Sequence, residues 1–246
     1  MSAHAVFELR QYTLRPGQRE RLVELFEREF IEPQEALGMA LPGQYRDLDD
    51  PDRFVWLRSF PDMPARAAAL AAFYDGPVWR AHREAANATM LDSDDVLLLR
   101  PTQPFAVQGM PRPGLGERSP AGLLSATICP VPPSAAAPLA RSFDTQVRPV
   151  LERLGAPVLG QFVTEPARNT FPRLPVREGE SVFVWFAAFA DAAAQARHRA
   201  AAAADPIVQA WVHCLEALPE TLRLAPTPRS LLRGASSSIT TAGEHA

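Results

Sequence analysis

One stretch of the chain is written twice. Phe54-Val55-Trp56-Leu57-Arg58-Ser59-Phe60-Pro61-Asp62 returns as Phe183-Val184-Trp185-Phe186-Ala187-Ala188-Phe189-Ala190-Asp191, an offset of 129 positions (54 to 183). Three further echoes keep the same order. Gly43-Gln44-Tyr45 returns as Gly160-Gln161-Phe162, Asp75-Gly76-Pro77-Val78 as Asp205-Pro206-Ile207-Val208, and Arg100-Pro101-Thr102 as Ala225-Pro226-Thr227. A solenoid module repeats every ~20–45 residues, so a period this long is a duplicated domain. Two copies can face each other and enclose what one copy only half builds. The 246 residues leave room for two compact units.

Each half follows one course. Ala5 to Leu14 alternates apolar and polar residues, the period of a strand. After Arg15-Pro16-Gly17, Leu22, Leu25, Phe26 and Phe30 recur at helical spacing up to Pro33. Met39 to Leu48 and Arg53 to Phe60 read as strands around an Asp-rich turn, and Met63 to Tyr74 as an Ala-rich helix. A further helix starts at Pro77, and Val96 to Arg100 closes the unit as β-α-β-β-α-β. The second half repeats this with strands at Leu123 to Cys129, Val158 to Val163, Ser181 to Phe189 and Thr221 to Leu224. The expected domains are 1–103 and 120–230. A Pro- and Gly-rich linker joins them at 104–119, and a disordered tail follows at 234–246.

The halves differ in two places. Gly43 and Phe54 are 11 positions apart, whereas Gly160 and Phe183 are 23 apart. The surplus falls around Arg168-Asn169-Thr170-Phe171-Pro172-Arg173-Leu174-Pro175-Val176-Arg177. The first strand carries Glu8, Arg10 and Tyr12, and Leu123 to Cys129 has nothing of that kind.

Composition excludes several classes. A net charge of −3 gives no electrostatic footprint for nucleic acid. No segment approaches the ~20 apolar residues of a membrane span. The N-terminus lacks a basic leader and an apolar signal core, which makes cytoplasmic residence the expectation. The chain contains no lysine, so Schiff-base and P-loop chemistry are unavailable. No pair of histidines has metal-ligand spacing, and no dinucleotide fingerprint or nucleophile elbow is present. No cofactor or metal is therefore expected.

Phe7-Glu8-Leu9-Arg10-Gln11-Tyr12-Thr13-Leu14-Arg15-Pro16-Gly17 resembles the opening strand of the NIPSNAP family, within the dimeric α/β-barrel superfamily. Residues 53–83 are similar to that family's third strand and Trp-containing helix. Asn169 through Arg177 resembles a stretch of its two-copy members. The resemblance implies an α+β fold of two tandem ferredoxin-like units that close one barrel within the chain. Superfamily relatives include cofactor-free monooxygenases, haem-degrading enzymes, isomerases, cyclases and dehydratases.

Alternation divides the strands into two faces. Phe7, Leu9, Val55, Leu57, Val184 and Phe186 are expected against the helices. Glu8, Arg10, Tyr12, Phe54, Trp56, Arg58, Phe60, Phe183, Trp185 and Phe189 are expected inside the barrel, around a pocket. Glu8 and His82 are candidates for proton transfer, and Tyr12 for donating to an oxyanion. Arg10, Arg58, Trp56, Tyr45 and Trp79 are candidate substrate contacts. Asn169 and Arg173 belong to a candidate lid over an acidic substrate. The competing readings are a structural ion pair between Glu8 and Arg10 or Arg58, a packed or surface His82, and a solvated loop. The expected function is cofactor-independent chemistry on a small hydrophobic oxygenated metabolite. The alternatives are a non-catalytic small-molecule or protein-binding module, or haem binding through His82. The expected assembly is a monomeric pseudo-dimer or a homodimer.

Overall fold

The structure is a computed structural model that describes residues 4–105, 111–118 and 121–234. Parts of the expected linker, and all of the expected disordered tail except Gly234, lie outside the described residues. The first half contains β1 (Val6–Leu14), α1 (Arg19–Glu29), α2 (Ile31–Glu35), β2 (Ala40–Asp47), β3 (Arg53–Phe60), α3 (Met63–Tyr74), α4 (Pro77–Asn87) and β4 (Met90–Pro101). The second contains β5 (Leu123–Pro130), α5 (Pro133–Ser142), a π-turn at Phe143–Val147, α6 (Arg148–Arg153), β6 (Val158–Thr164), β7 (Val182–Phe189), α7 (Ala192–Ala204), α8 (Pro206–His213) and β8 (Glu220–Pro226). β4 begins earlier than its apolar run predicts. The acidic stretch Asp92 to Asp95 pairs with β1 while the residues around it stay partly exposed, so its polarity resembled a loop.

The eight strands close into an antiparallel barrel in the order β1-β3-β2-β8-β5-β7-β6-β4. Each half supplies the same local order, β4-β1-β3-β2 and β8-β5-β7-β6. Two short seams join them, and two of the four sequence echoes lie there. Tyr45 pairs with Pro226 at one seam, and Phe162 with Pro101 at the other. The Thr227 N–H donates to the Gln44 carbonyl at 2.9 Å, and the Thr102 N–H to the Gln161 carbonyl at 3.0 Å. Gly43 and Gly160 open these echoes because a Cβ there would collide with the rings of Tyr45 and Phe105. Closure leaves no sheet edge to template aggregation.

The alternation is as expected, but the two faces are exchanged. Phe7, Leu9, Val55, Leu57, Val184 and Phe186 fill the barrel with Tyr45, Leu97, Leu99, Leu124, Phe162 and Leu224. An eight-stranded barrel has an interior just wide enough for side chains. The aliphatic and Phe set packs it solid, so the pocket expected there is occupied by core. Each such fully buried side chain contributes roughly 1.5–3 kcal/mol. Tyr12, Phe54, Trp56 and Phe60 instead lie beneath the helices of the first half. Phe183 and Trp185 lie beneath those of the second, and Phe189 packs at the edge with Ala156. Period two identifies which residues share a face; it carries no sign for which face is inside. Guanidinium and carboxylate groups need polar partners, and helices and loops can supply them where a barrel core cannot.

Among the described residues, no helix is long and apolar enough to cross a membrane.

Candidate functional site

Strand register assembles the site. β1 and β3 pair Glu8 with Arg58, Arg10 with Trp56, and Tyr12 with Phe54. All six therefore project from one face. Helix α3 crosses above them, started by Asp62, whose side chain accepts the Ala65 N–H at 2.7 Å. One turn later Arg66 faces the sheet on the same stripe as Leu70 and Phe73.

Glu8 is the hub of three arginines. Its Oε2 accepts from Arg10 Nη1 at 2.9 Å and from Arg58 Nη2 at 2.6 Å and Nε at 3.0 Å. Its Oε1 accepts from Arg66 Nε at 2.7 Å. Glu8, Arg58 and Arg66 are 0 % exposed and Arg10 is 1 % exposed. The remaining Arg58 nitrogen donates to Gln34 Oε1 at 3.1 Å. Arg10 Nε donates to the Tyr12 hydroxyl at 3.0 Å, and Arg10 Nη2 reaches the Ser93 carbonyl at 3.4 Å. The Arg10 and Arg58 guanidiniums lie over the Trp56 ring at 5.5 and 5.0 Å.

This geometry sets the protonation states. Burial pushes the Glu8 carboxyl up, but Arg58, Arg10 and Arg66 together outweigh it and hold it well below the usual carboxylate range. Glu8 is thus a fixed counter-ion, and the proton-transfer role expected of it is lost. Burial raises the Tyr12 phenol against the opposing pull of Arg10, which keeps it a neutral donor. Burial lowers the Arg66 guanidinium; Glu8 opposes this, and Arg58 and Arg10 reinforce it.

The cluster holds three guanidiniums and one carboxylate, an excess of two positive charges away from water. Arg66 Nη2 and Trp56 Nε1 are buried donors without a partner. Uncompensated buried charge is costly, so this arrangement suits an arriving anion.

The long loop of the second half closes the site. Arg66 Nη1 donates to Asn169 Oδ1 at 2.9 Å and to Thr170 Oγ1 at 3.4 Å. The Thr170 hydroxyl donates to the Met63 carbonyl at 3.2 Å. Asn169 also braces the loop itself, donating to the Leu174 carbonyl and accepting from the Phe171 N–H. Phe171 stacks on Tyr74, with ring centroids 6.0 Å apart. The loop is docked through Asn169, Thr170 and Phe171, while residues 166–168, 172, 173 and 178–180 stay exposed as the solvated reading expects.

The remaining sequence candidates lie elsewhere. Tyr45 is inside the barrel core. His82 is 31 % exposed on α4, with Nε2 at 3.3 Å from Glu29 on α1, so its proton-transfer role is not supported by position. Trp79 packs on Phe30, Phe73 and Tyr74 as a wall behind the site. Arg173 reaches Asp75 at 2.8 Å on the surface rather than the cluster. Sequence reasoning missed Arg66, Gln34 and Thr170. Arg66 left a signal, a charged residue on the apolar stripe of an Ala-rich helix; Thr170 shared the surplus loop with Asn169, and Gln34 left none. Surface clefts of about 430 and 340 Å³ lie at the two barrel seams, lined mainly by polar residues such as Asp50 and Arg53, and Arg141 and Gln161. Neither includes the cluster, whose chemistry makes it the stronger candidate.

The NIPSNAP family model matches residues 7–104. That segment of the first half is similar to the NIPSNAP family. No curated protein matches the chain. Among solved structures, the chain is similar to an anthrone oxidase-like protein at 14% identity, covering 97% of this chain and 98% of that one with a TM-score of 0.63. A candidate monooxygenase from Fusobacterium nucleatum is 8% identical over 96% of this chain and 98% of that one, with a TM-score of 0.58. One from Lactobacillus acidophilus is 13% identical over 91% and 94%, with a TM-score of 0.55. At these identities the likeness concerns the fold, an α/β chain with a closed eight-stranded antiparallel barrel.

Proposed function

We propose that the chain is a cofactor-independent cytoplasmic enzyme of oxygenase type, built as two tandem ferredoxin-like units, 1–103 and 120–230. Its substrate is a small hydrophobic oxygenated metabolite that reacts through an oxyanion. The observation that carries this reading is the buried excess of guanidinium around Glu8. The site lies between sheet and helices of the first half, beneath the second-half loop. Arg10, Arg58 and Arg66 favour the ionised form of an enolisable or phenolic substrate, and the neutral Tyr12 donates to its oxygen. Phe54, Trp56 and Phe60 supply the apolar wall. The substrate anion itself reduces dioxygen, so the residues bind, orient and stabilise charge. Isomerase and dehydratase or cyclase chemistry would draw on the same stabilised anion.

A second reading is a non-catalytic binding protein. It is favoured by the absence, among the described members of the cluster, of a group poised to accept a proton near neutral pH. The haem reading has lost its footing, because His82 faces Glu29 at the surface.

Anthrone is the test substrate. Its oxidation to anthraquinone consumes one dioxygen and yields one water, so oxygen uptake and product absorbance should rise together. Wild type and His82→Ala should turn over alike, and Arg10→Ala and Tyr12→Phe should each lose at least tenfold in kcat/KM. Turnover undiminished in Arg10→Ala would overturn the site. A panel of enolisable aromatic ketones bound without turnover would select the second reading.

A further inference from the structure

We infer that the ligand of this site carries a carboxylate, which Arg66 grips in exchange for the side-chain oxygens of the loop that covers it. This rests on the reading above that the cluster is the ligand site, and it names the chemistry of the ligand.

Every side-chain nitrogen of Arg10 and Arg58 is engaged within the cluster or by backbone. Arg66 differs. Its Nε is spent on Glu8, but its outer edge is not committed in the same way. Nη1 meets two neutral oxygens, from Asn169 and Thr170, and Nη2 meets nothing although the side chain is fully buried. The Nη1–Nη2 edge of a guanidinium is the planar fork that matches a carboxylate with two parallel hydrogen bonds. Charge-assisted bonds of that kind are roughly twice as strong as the neutral ones in place. A monoanion also reduces the cluster's excess of two charges to one, which no side chain of the loop does.

The exchange has a mechanical consequence. Asn169 fastens the loop to itself through Leu174 and Phe171 as well as to Arg66. Displacing it from Arg66 frees the loop segment that seals the site, so ligand entry and loop release are one event. Phe171 and Arg173 then determine how far the loop lifts, through Tyr74 and Asp75.

The experiment is equilibrium binding of benzoate and of benzyl alcohol to the full chain, followed by titration calorimetry. Three variants accompany wild type: Asn169→Ala removes the competing oxygen, Arg66→Lys keeps charge without the fork, and Arg66→Gln removes both. Benzoate should bind wild type more tightly than benzyl alcohol, and Asn169→Ala more tightly still. Arg66→Lys should weaken benzoate on the order of tenfold, and Arg66→Gln further. If Arg66→Gln fails to fold, Arg66→Lys carries the test, since it preserves the charge beside Glu8. Benzoate that fails to bind Asn169→Ala, or binds Arg66→Lys as well as wild type, overturns the inference. The two proposals fail separately. Benzoate binding without anthrone turnover sinks the oxygenase reading alone, and turnover of neutral anthrone without benzoate binding sinks the carboxylate alone.

Discussion

The two halves of this molecule share a backbone plan and disagree about charge. Trp56 and Trp185 occupy the same register, opposite Arg10 in one half and Thr127 in the other. Glu8 opposite Arg58 becomes Ser125 opposite Ala187, and Tyr12 opposite Phe54 becomes Cys129 opposite Phe183. Arg66 lies four residues past the cap Asp62, and Gln195 four past the cap Asp191. One half therefore holds a buried ionic cluster. The other, at the same addresses, holds small or neutral groups over an apolar core. The loop asymmetry runs the opposite way. The second half extends its long β6–β7 connection over the first half's cluster, while the short β2–β3 turn offers no cover in return. The lesson is division of labour: one copy keeps the chemistry, and its twin keeps the scaffold and supplies the cover.

The most forceful way to break that comparison is Glu8→Gln against Ser125→Ala. Removing one partner of a buried ion pair costs about 3–5 kcal/mol, and here three guanidiniums lose their counter-ion. Ser125→Ala should stay within about 0.5 kcal/mol in urea unfolding, as for a residue outside any network. Equal costs would erase the distinction between the halves. The same contrast appears against pH. The folded Glu8 carboxyl is depressed below its usual 4.5, so its stabilisation is complete above that value and is lost as pH falls below it. Urea midpoints of wild type should therefore fall from pH 5 to pH 3 more steeply than those of Glu8→Gln.

Asn169→Ala ranks next. It leaves the Leu174 carbonyl and the Phe171 N–H without their side-chain partner, a cost of about 1–3 kcal/mol confined to the loop. Hydrogen exchange should quicken across residues 168–177 and stay slow in the barrel strands; uniform acceleration would contradict a separable cover. Arg173→Ala should matter least. Its pair with Asp75 is 59 % and 57 % exposed, and such pairs are worth roughly 0–1 kcal/mol. A thermal shift comparable to that of Asn169→Ala would show that the Arg173–Asp75 pair holds the loop as firmly as the Asn169 contact does.

Much of the fold was legible because duplication and hydrophobic period are written locally. Arg53–Phe60 and Met63–Tyr74 have the bounds their patterns predict. The direction in which the strands face was not legible, since alternation is symmetric until the helices commit to one side. Glu8, Arg10, Tyr12, Arg58 and Trp56 were recognisable as polar and aromatic residues sharing one face. Their chemistry was not, because Glu8 loses its acid–base value only when three arginines converge from β1, β3 and α3. Asn169 was visible through the surplus length of its loop, whereas its contact with Arg66 spans 103 positions of sequence. His82 and Tyr45 were attractive by residue type alone, and tertiary packing decided against both.

The central claim is that one half only is built to receive an anion. Crystals soaked with 4-bromobenzoate would report it through the anomalous signal of bromine. The account predicts a single strong peak per chain beneath residues 169–171, with the carboxylate on Arg66. A peak beside Gln195, or inside the barrel among Leu9, Leu57 and Phe186, would contradict it.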